Sequence, residues 1–179
     1  MDPTDILAKS RLLASATEVE TAIKAMAGQI TADLAQRNPV VVAVMNGGAF
    51  TAVNLCRYFR FSYEFDYVHA TRYGKDLEGA ELTWRVRPQP TLLGRTVLLV
   101  DDVLDKGTTL LALQEEFQRI GVGELRTAVL VKKRLAASSA RPEHHYCALE
   151  TDDDYLFGCG MDYAGYWRGL PELYACDAT

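Results

Sequence analysis

The chain has 179 residues, 49% of them hydrophobic, and its 19 basic against 24 acidic side chains leave a net charge of −5. That length fits one domain with a core that needs no staples, and the acidic balance weighs against nucleic acid or an anionic membrane as the main partner. The widely spaced Cys56, Cys147, Cys159 and Cys176 form no Cys-x-x-Cys pair, the start lacks the marks of a signal peptide, and no apolar run nears the ~18 residues of a membrane span, so a cytoplasmic protein with reduced thiols is expected.

Residues 17–36 open with Thr17-Glu18-Val19-Glu20, in the form of a capping box. Val19, Ile23, Met26, Ile30 and Leu34 follow at spacings of three and four, which paints one face of a packing helix. Asn38-Pro39 ends it, and Val40 to Met45 reads as a buried strand. That strand runs into Asn46-Gly47-Gly48, where two glycines free the backbone for close approach to a ligand or for a plain tight turn, and a helical stretch follows through Leu55 and Tyr58.

Phe61 to Ala70 reads as a strand whose aromatics, Phe61, Tyr63, Phe65 and Tyr67, recur at every second position, as for core or a subunit interface. His69 has no partner at metal-ligand spacing and is expected to be structural. Residues 71–79, with Arg72, Tyr73 and two glycines, suit a mobile loop. Leu82 to Val86 is a returning strand, and Pro88-Gln89-Pro90 a connector.

The most informative stretch is 95–119. Val97 to Val100 is a short aliphatic run of the kind buried on both faces of a parallel sheet. Asp101 and Asp102 are expected to end it, at the carboxyl edge where open α/β sheets bind ligands. After Asp105, Lys106-Gly107-Thr108-Thr109 supplies a tight turn, two hydroxyls and a helix start that suits phosphate, although a polar strand-turn-helix link has the same outline. No Walker-type run occurs. The helix stops at Ile120-Gly121, and Leu125 to Val131 forms the next strand, parallel to the first by the crossover rule and ending in Lys132-Lys133-Arg134. Residues 135–145 read as a loop.

The acidic pair, the third acid after two apolar residues and the Gly-Thr-Thr turn together resemble the ribose-phosphate signature of the phosphoribosyltransferases, enzymes that use phosphoribosyl pyrophosphate (PRPP). The segment 153–168 is similar to the hypoxanthine-guanine branch: an aromatic, then Gly, then Met-Asp-Tyr, then aromatic-Arg. The resemblance covers roughly residues 35–175. It implies an α/β fold with a central, mostly parallel twisted sheet flanked by helices, a core about 36–145, and a small hood from 1–16 and 146–179.

The same resemblance implies the site. Asp101 and Asp102 take the ribose side, Asp105 is the general base toward the purine, and Lys106, Gly107, Thr108 and Thr109 hold the 5′-phosphate, with Lys106 standing where the family has Thr. Gly47 and Gly48 offer backbone contacts to pyrophosphate, and Asn46 occupies the family's Lys or Arg position. Arg72 and Tyr73 fall on a lid, with Arg72 in place of Ser. Lys132 bonds the 6-oxo group, Tyr155 stacks on the base, Leu156 gives a backbone contact, Asp162 lies beside base and metal, and Arg168 meets pyrophosphate. Magnesium is the implied cofactor, with Asp101, Asp102 and Asp162 as its carboxylates. PRPP with hypoxanthine or guanine are the implied substrates, with no nucleic-acid or membrane partner, and a homodimer or homotetramer is the implied assembly. A xanthine-preferring enzyme and a PRPP- or nucleotide-sensing regulator on the same fold stay open.

Overall fold

The computed structural model describes residues 5–72, 82–134 and 141–176. In chain order its elements are β1 (Arg11–Ala14), α1 (Ala16–Leu34), β2 (Val40–Val44), α2 (Gly48–Cys56), β3 (Glu64–Arg72), β4 (Leu82–Val86), β5 (Thr96–Leu104), α3 (Thr108–Ile120), β6 (Glu124–Lys133), β7 (Tyr146–Thr151), β8 (Tyr155–Phe157) and β9 (Leu173–Cys176). Six strands form one sheet in the order β4-β3-β2-β5-β6-β7. All neighbours run parallel except β4, which returns antiparallel on β3.

Every residue of β2 is buried, as are Val97 to Val100 of β5, because helices cover both faces of the sheet. On one face α1 and α2 pack over Val41, Ala43, Leu98 and Val100. On the other, Leu110, Leu113 and Phe117 of α3 lie against Val42, Val44, Val97 and Leu99. The apolar stripe of α1 is buried as its spacing predicts, but the helix begins one residue earlier than Thr17. Ser15 is the cap, accepting from the Glu18 N–H while the Glu18 carboxylate accepts from Ser15 N at 2.8 Å. The capping box is therefore Ser15-x-x-Glu18, shifted from the expected one.

Two other expectations are corrected. The aromatic stripe at 61–67 is split, because β3 starts only at Glu64. Phe61 and Tyr63 gather on Phe59 with ring centroids 4.8 and 5.6 Å away, while Phe65 and Tyr67 on the strand are 48% and 47% exposed. The central sheet also runs past residue 145, with Tyr146–Thr151 as its edge strand.

The acidic pair does not end β5. Pairing with β2 stops at Val100, but β6 continues alongside through Leu104. Asp101 and Asp102 are thus carried past the end of one neighbour while still held by the other, which opens a space at the carboxyl edge. A smaller antiparallel sheet, β1-β9-β8, joins segments from the two ends of the chain. It is sealed by Ile6, Phe157 and Cys176, with Phe157 stacked on Tyr174 at 5.4 Å.

Candidate active site

The space beyond β5 is a cavity of about 450 Å³, into which Asp101, Asp102, Asp105 and the loop Lys106 to Thr109 all face. Gly107 makes the turn at φ 77°, in the left-handed region, and a side chain there would also strike Pro142, whose Cδ lies 2.4 Å from the Cβ position. Thr108 then starts α3, so the N–H groups and positive dipole end of a 13-residue helix are directed at the cavity. Such a helix start suits an anion.

Across the cavity the β2–α2 loop comes close enough to exclude any side chain. A Cβ on Gly48 would lie 2.4 Å from the Val100 carbonyl oxygen, and one on Gly47 would overlap the Asp102 carboxylate. The C-terminal segment closes the third side, with Gly160 at φ 101° resting on the Gly47 carbonyl. Asp162 and Arg168 pair with each other here, and Arg168 Nη1 also donates to the Gly160 carbonyl at 2.7 Å. The Gly165 N–H donates to Asp162 Oδ2 at 2.7 Å.

The two adjacent carboxylates are crowded. Asp101 Oδ1 accepts from the Asp102 N–H at 2.9 Å, and Asp102 Oδ1 from the Val103 N–H at 2.8 Å. Burial and the Asp102 charge push Asp101 well above the usual carboxylate range. Burial also raises Asp102, against its hydrogen bonds with Asp101 and the backbone and the charge of Arg168. Such a pair attracts a cation.

A second cavity of about 240 Å³ adjoins the first and shares Asp102, Asp105 and Asp162 with it. Leu156 and Met161 give it a buried apolar lining, and Tyr155, 44% exposed, stands at its side with its ring edge-on to Tyr163. Lys133 brings the cationic head: its Nζ donates to Asp105 Oδ2 at 3.3 Å and to Asp153 Oδ1 at 3.2 Å. A flat, polar-edged ring fits here within reach of Asp105, beside the helix start that faces the first cavity.

A family model described as the phosphoribosyl transferase domain matches residues 13–164. The chain belongs to the phosphoribosyltransferase family. It is similar to the hypoxanthine-guanine-xanthine phosphoribosyltransferase of Tritrichomonas foetus, 26% identical over 163 residues that cover 91% of this chain and 89% of the relative. The hypoxanthine-guanine phosphoribosyltransferase of Aquifex aeolicus is 27% identical over 168 residues, covering 93% and 94%. Among solved structures, a hypoxanthine phosphoribosyltransferase from Staphylococcus aureus matches the fold with a TM-score of 0.84 at 22% identity, covering 98% of this chain and 95% of that one. A hypoxanthine-guanine phosphoribosyltransferase from Bacillus anthracis gives 0.79 at 26%, covering 92% and 96%.

Within this phosphoribosyltransferase, most of the residues singled out in the sequence line the two cavities, and three sets differ. Lys132 does not line either cavity: it pairs across the strands with Glu150 of β7, Nζ to Oε1 3.0 Å. Lys133 takes the place expected for it, because successive side chains of a strand point to opposite faces. The Val103–Val131 register, carried two residues further, sets Lys133 level with Asp105. Asn46 is absent from the cavity lining, where its neighbours Met45 and Gly47 stand. Of the lid residues, Arg72 is the last residue of β3 and Tyr73 lies outside the described residues.

Among the described residues no three His, Cys, Asp or Glu side chains converge on one metal position. Asp162 is engaged by Arg168 and Gly165, which leaves Asp101 and Asp102 as the crowded pair. That pair fits magnesium, which takes one or two carboxylates and completes its shell with substrate oxygens and water. Lys133, Asp153, Met161 and Gly160 were missed in the sequence. Lys133 stood in the basic cluster and the other three in the segment 153–168, but the sequence does not show which of these side chains face the site.

Proposed function

We propose that this phosphoribosyltransferase moves the 5-phosphoribosyl group of PRPP onto a 6-oxopurine, hypoxanthine or guanine, to give the nucleoside monophosphate and pyrophosphate. The observation that carries the reading is the pairing of two cavities across Asp105, one an anion site at a helix start and the other lined by Tyr155, Leu156 and Lys133. The names of the relatives agree with this acceptor class.

In the reaction a purine ring nitrogen attacks carbon 1 of the ribose, the bond from that carbon to pyrophosphate oxygen breaks, and the proton on the five-membered ring passes to Asp105. The sugar becomes oxocarbenium-like as the bond breaks, and the carboxylates beneath it stabilise that charge. Asp101 and Asp102 would hold magnesium and the ribose hydroxyls; magnesium, when bound, offsets the charge of the leaving pyrophosphate. Gly107, Thr108 and Thr109 hold the 5′-phosphate through N–H and hydroxyl groups, with Lys106 at the rim. Arg168, braced by Asp162, faces the pyrophosphate, and Gly47 contributes its backbone.

In the purine site Tyr155 stacks on the base and the backbone at Leu156 meets its edge. Lys133 donates to the 6-oxo group, so a 6-amino purine, which offers a donor there, is rejected. The protein acts in the cytoplasm, its four cysteines free, as a homodimer or homotetramer. The exposed Phe65 and Tyr67 on one face of β3 support association. Among the described residues no helix is long and apolar enough to cross a membrane.

Incubation with PRPP, magnesium and each purine in turn, with nucleotide formation followed directly, tests the reading. Hypoxanthine or guanine should yield product and adenine should not; xanthine belongs in the set because the Tritrichomonas foetus relative is named for it. Equal rates with adenine and hypoxanthine would overturn the acceptor class.

A further inference from the structure

Lys133 is held more tightly than a donor to one ligand atom requires. Its side chain is only 12% exposed, and its ammonium lies between two carboxylates from different elements, Asp105 after β5 and Asp153 in the β7–β8 turn. Its carbonyl oxygen is also fixed, accepting from Arg141 Nη1 at 2.6 Å. A lysine ammonium has three N–H donors. With two spent on Asp105 and Asp153, one is left for an acceptor in the cavity that Lys133 lines.

We propose that Asp153 is a positioning residue for purine selectivity, sharing the Lys133 ammonium with Asp105 so that its remaining donor meets the 6-position of the base. The inference rests on the acceptor reading above. A lysine stem is flexible and its head is a point charge, so one carboxylate alone would let it swing. Without Asp153, Lys133 would close on Asp105. That movement misdirects the donor and occupies the carboxylate that must accept the purine proton.

The turn that carries Asp153 is independently anchored. Asp152 pairs with Arg134 at 3.2 Å and Asp154 with Arg11 at 3.0 Å, both outward-facing contacts. Of these three successive aspartates, Asp153 alone pairs with an enclosed cation, since Arg134 and Arg11 are 58% and 64% exposed. Removing the Asp153 charge should therefore leave the turn in place and change the lysine.

The test compares Asp153→Asn, Asp153→Glu and Lys133→Ala in steady-state kinetics with PRPP and with hypoxanthine or guanine, with adenine as the 6-amino probe and a thermal melt to verify folding. Asp153→Asn should raise the KM for hypoxanthine about ten-fold, as expected for losing one charge-assisted hydrogen bond. It should leave the KM for PRPP near the parent value and narrow the preference over adenine, and Asp153→Glu should restore most of the loss. An unchanged hypoxanthine KM in Asp153→Asn overturns the inference, as does an equal loss toward hypoxanthine and PRPP, which would mark a purely structural role. If Lys133→Ala itself leaves purine KM unchanged, the acceptor reading falls. If Lys133→Ala weakens purine binding and Asp153→Asn does not, only the role of Asp153 falls.

Discussion

Gly47 and Asp102 occupy one space: a Cβ on the glycine would lie 1.6 Å from Asp102 Oδ2. Gly47 has φ −63° and ψ −47°, a backbone that any residue adopts, so the requirement for glycine is steric rather than conformational. Gly47→Ala should fold and push the Asp102 carboxylate aside. Since a misplacement near 1 Å can cost about 10²-fold, kcat/KM for PRPP should fall by roughly that factor. Kinetics with PRPP varied, together with a melt, distinguish this from unfolding.

Asp105→Asn should lower turnover by about 10² to 10⁴, the usual contribution of a positioned general base. PRPP should still bind, because the helix start and Gly107-Thr108-Thr109 are untouched. Single-turnover rates and calorimetric PRPP titration check both halves. Near-parental turnover removes Asp105 from the role.

The two lysines at the end of β6 should part company. Lys132→Ala breaks a pair whose side chains are 30% and 47% exposed, and such surface pairs are worth roughly 0–1 kcal/mol, so stability and kinetics should change little. Lys133→Ala should raise the KM for hypoxanthine by about ten-fold or more. A larger purine effect from Lys132→Ala would reverse the assignment.

The raised Asp101 carboxyl links stability to pH. A carboxyl whose folded value lies above its unfolded one holds its proton more tightly in the folded state, so stability is lost as pH rises from the unfolded value, about 3.9, through the folded one. Asp101→Asn removes that penalty. The variant should melt higher than the parent near neutral pH, and the gap should close at strongly acidic pH. Its activity should fall, as is usual where a strained site serves function. Melts across pH without magnesium measure the gap, and a constant gap would contradict the linkage.

Ser15→Ala should cost about 1 kcal/mol by loss of the N-cap, read as a lower Tm. Thr17→Ala should cost less, because Thr17 lies inside α1 and its hydroxyl is not the cap.

The sequence alone determined the parts that depend on local pattern. The runs at 40–44 and 97–100 are strands because aliphatic residues with no polar alternation require burial on both faces. The stripe from Val19 to Leu34 is a helix because its period is helical, and Gly107 and Gly121 mark turns by the left-handed backbone that glycine tolerates. The acids at 101, 102 and 105 could be placed at a ligand-binding edge from the strand before them and the helix after them.

Tertiary structure decided the matters that depend on register and approach. Lys133 rather than Lys132 meets Asp105 because parity along β6 and its pairing with β5 select the face, and adjacent lysines carry no such information. Asp153 reaches that lysine only because the β7–β8 turn folds back over the sheet edge, 20 residues along the chain. The acidic pair at 101 and 102, read first as the end of a strand, instead lies within one that outruns its neighbour. The cavity exists because β2 stops pairing at Val100 while β6 goes on.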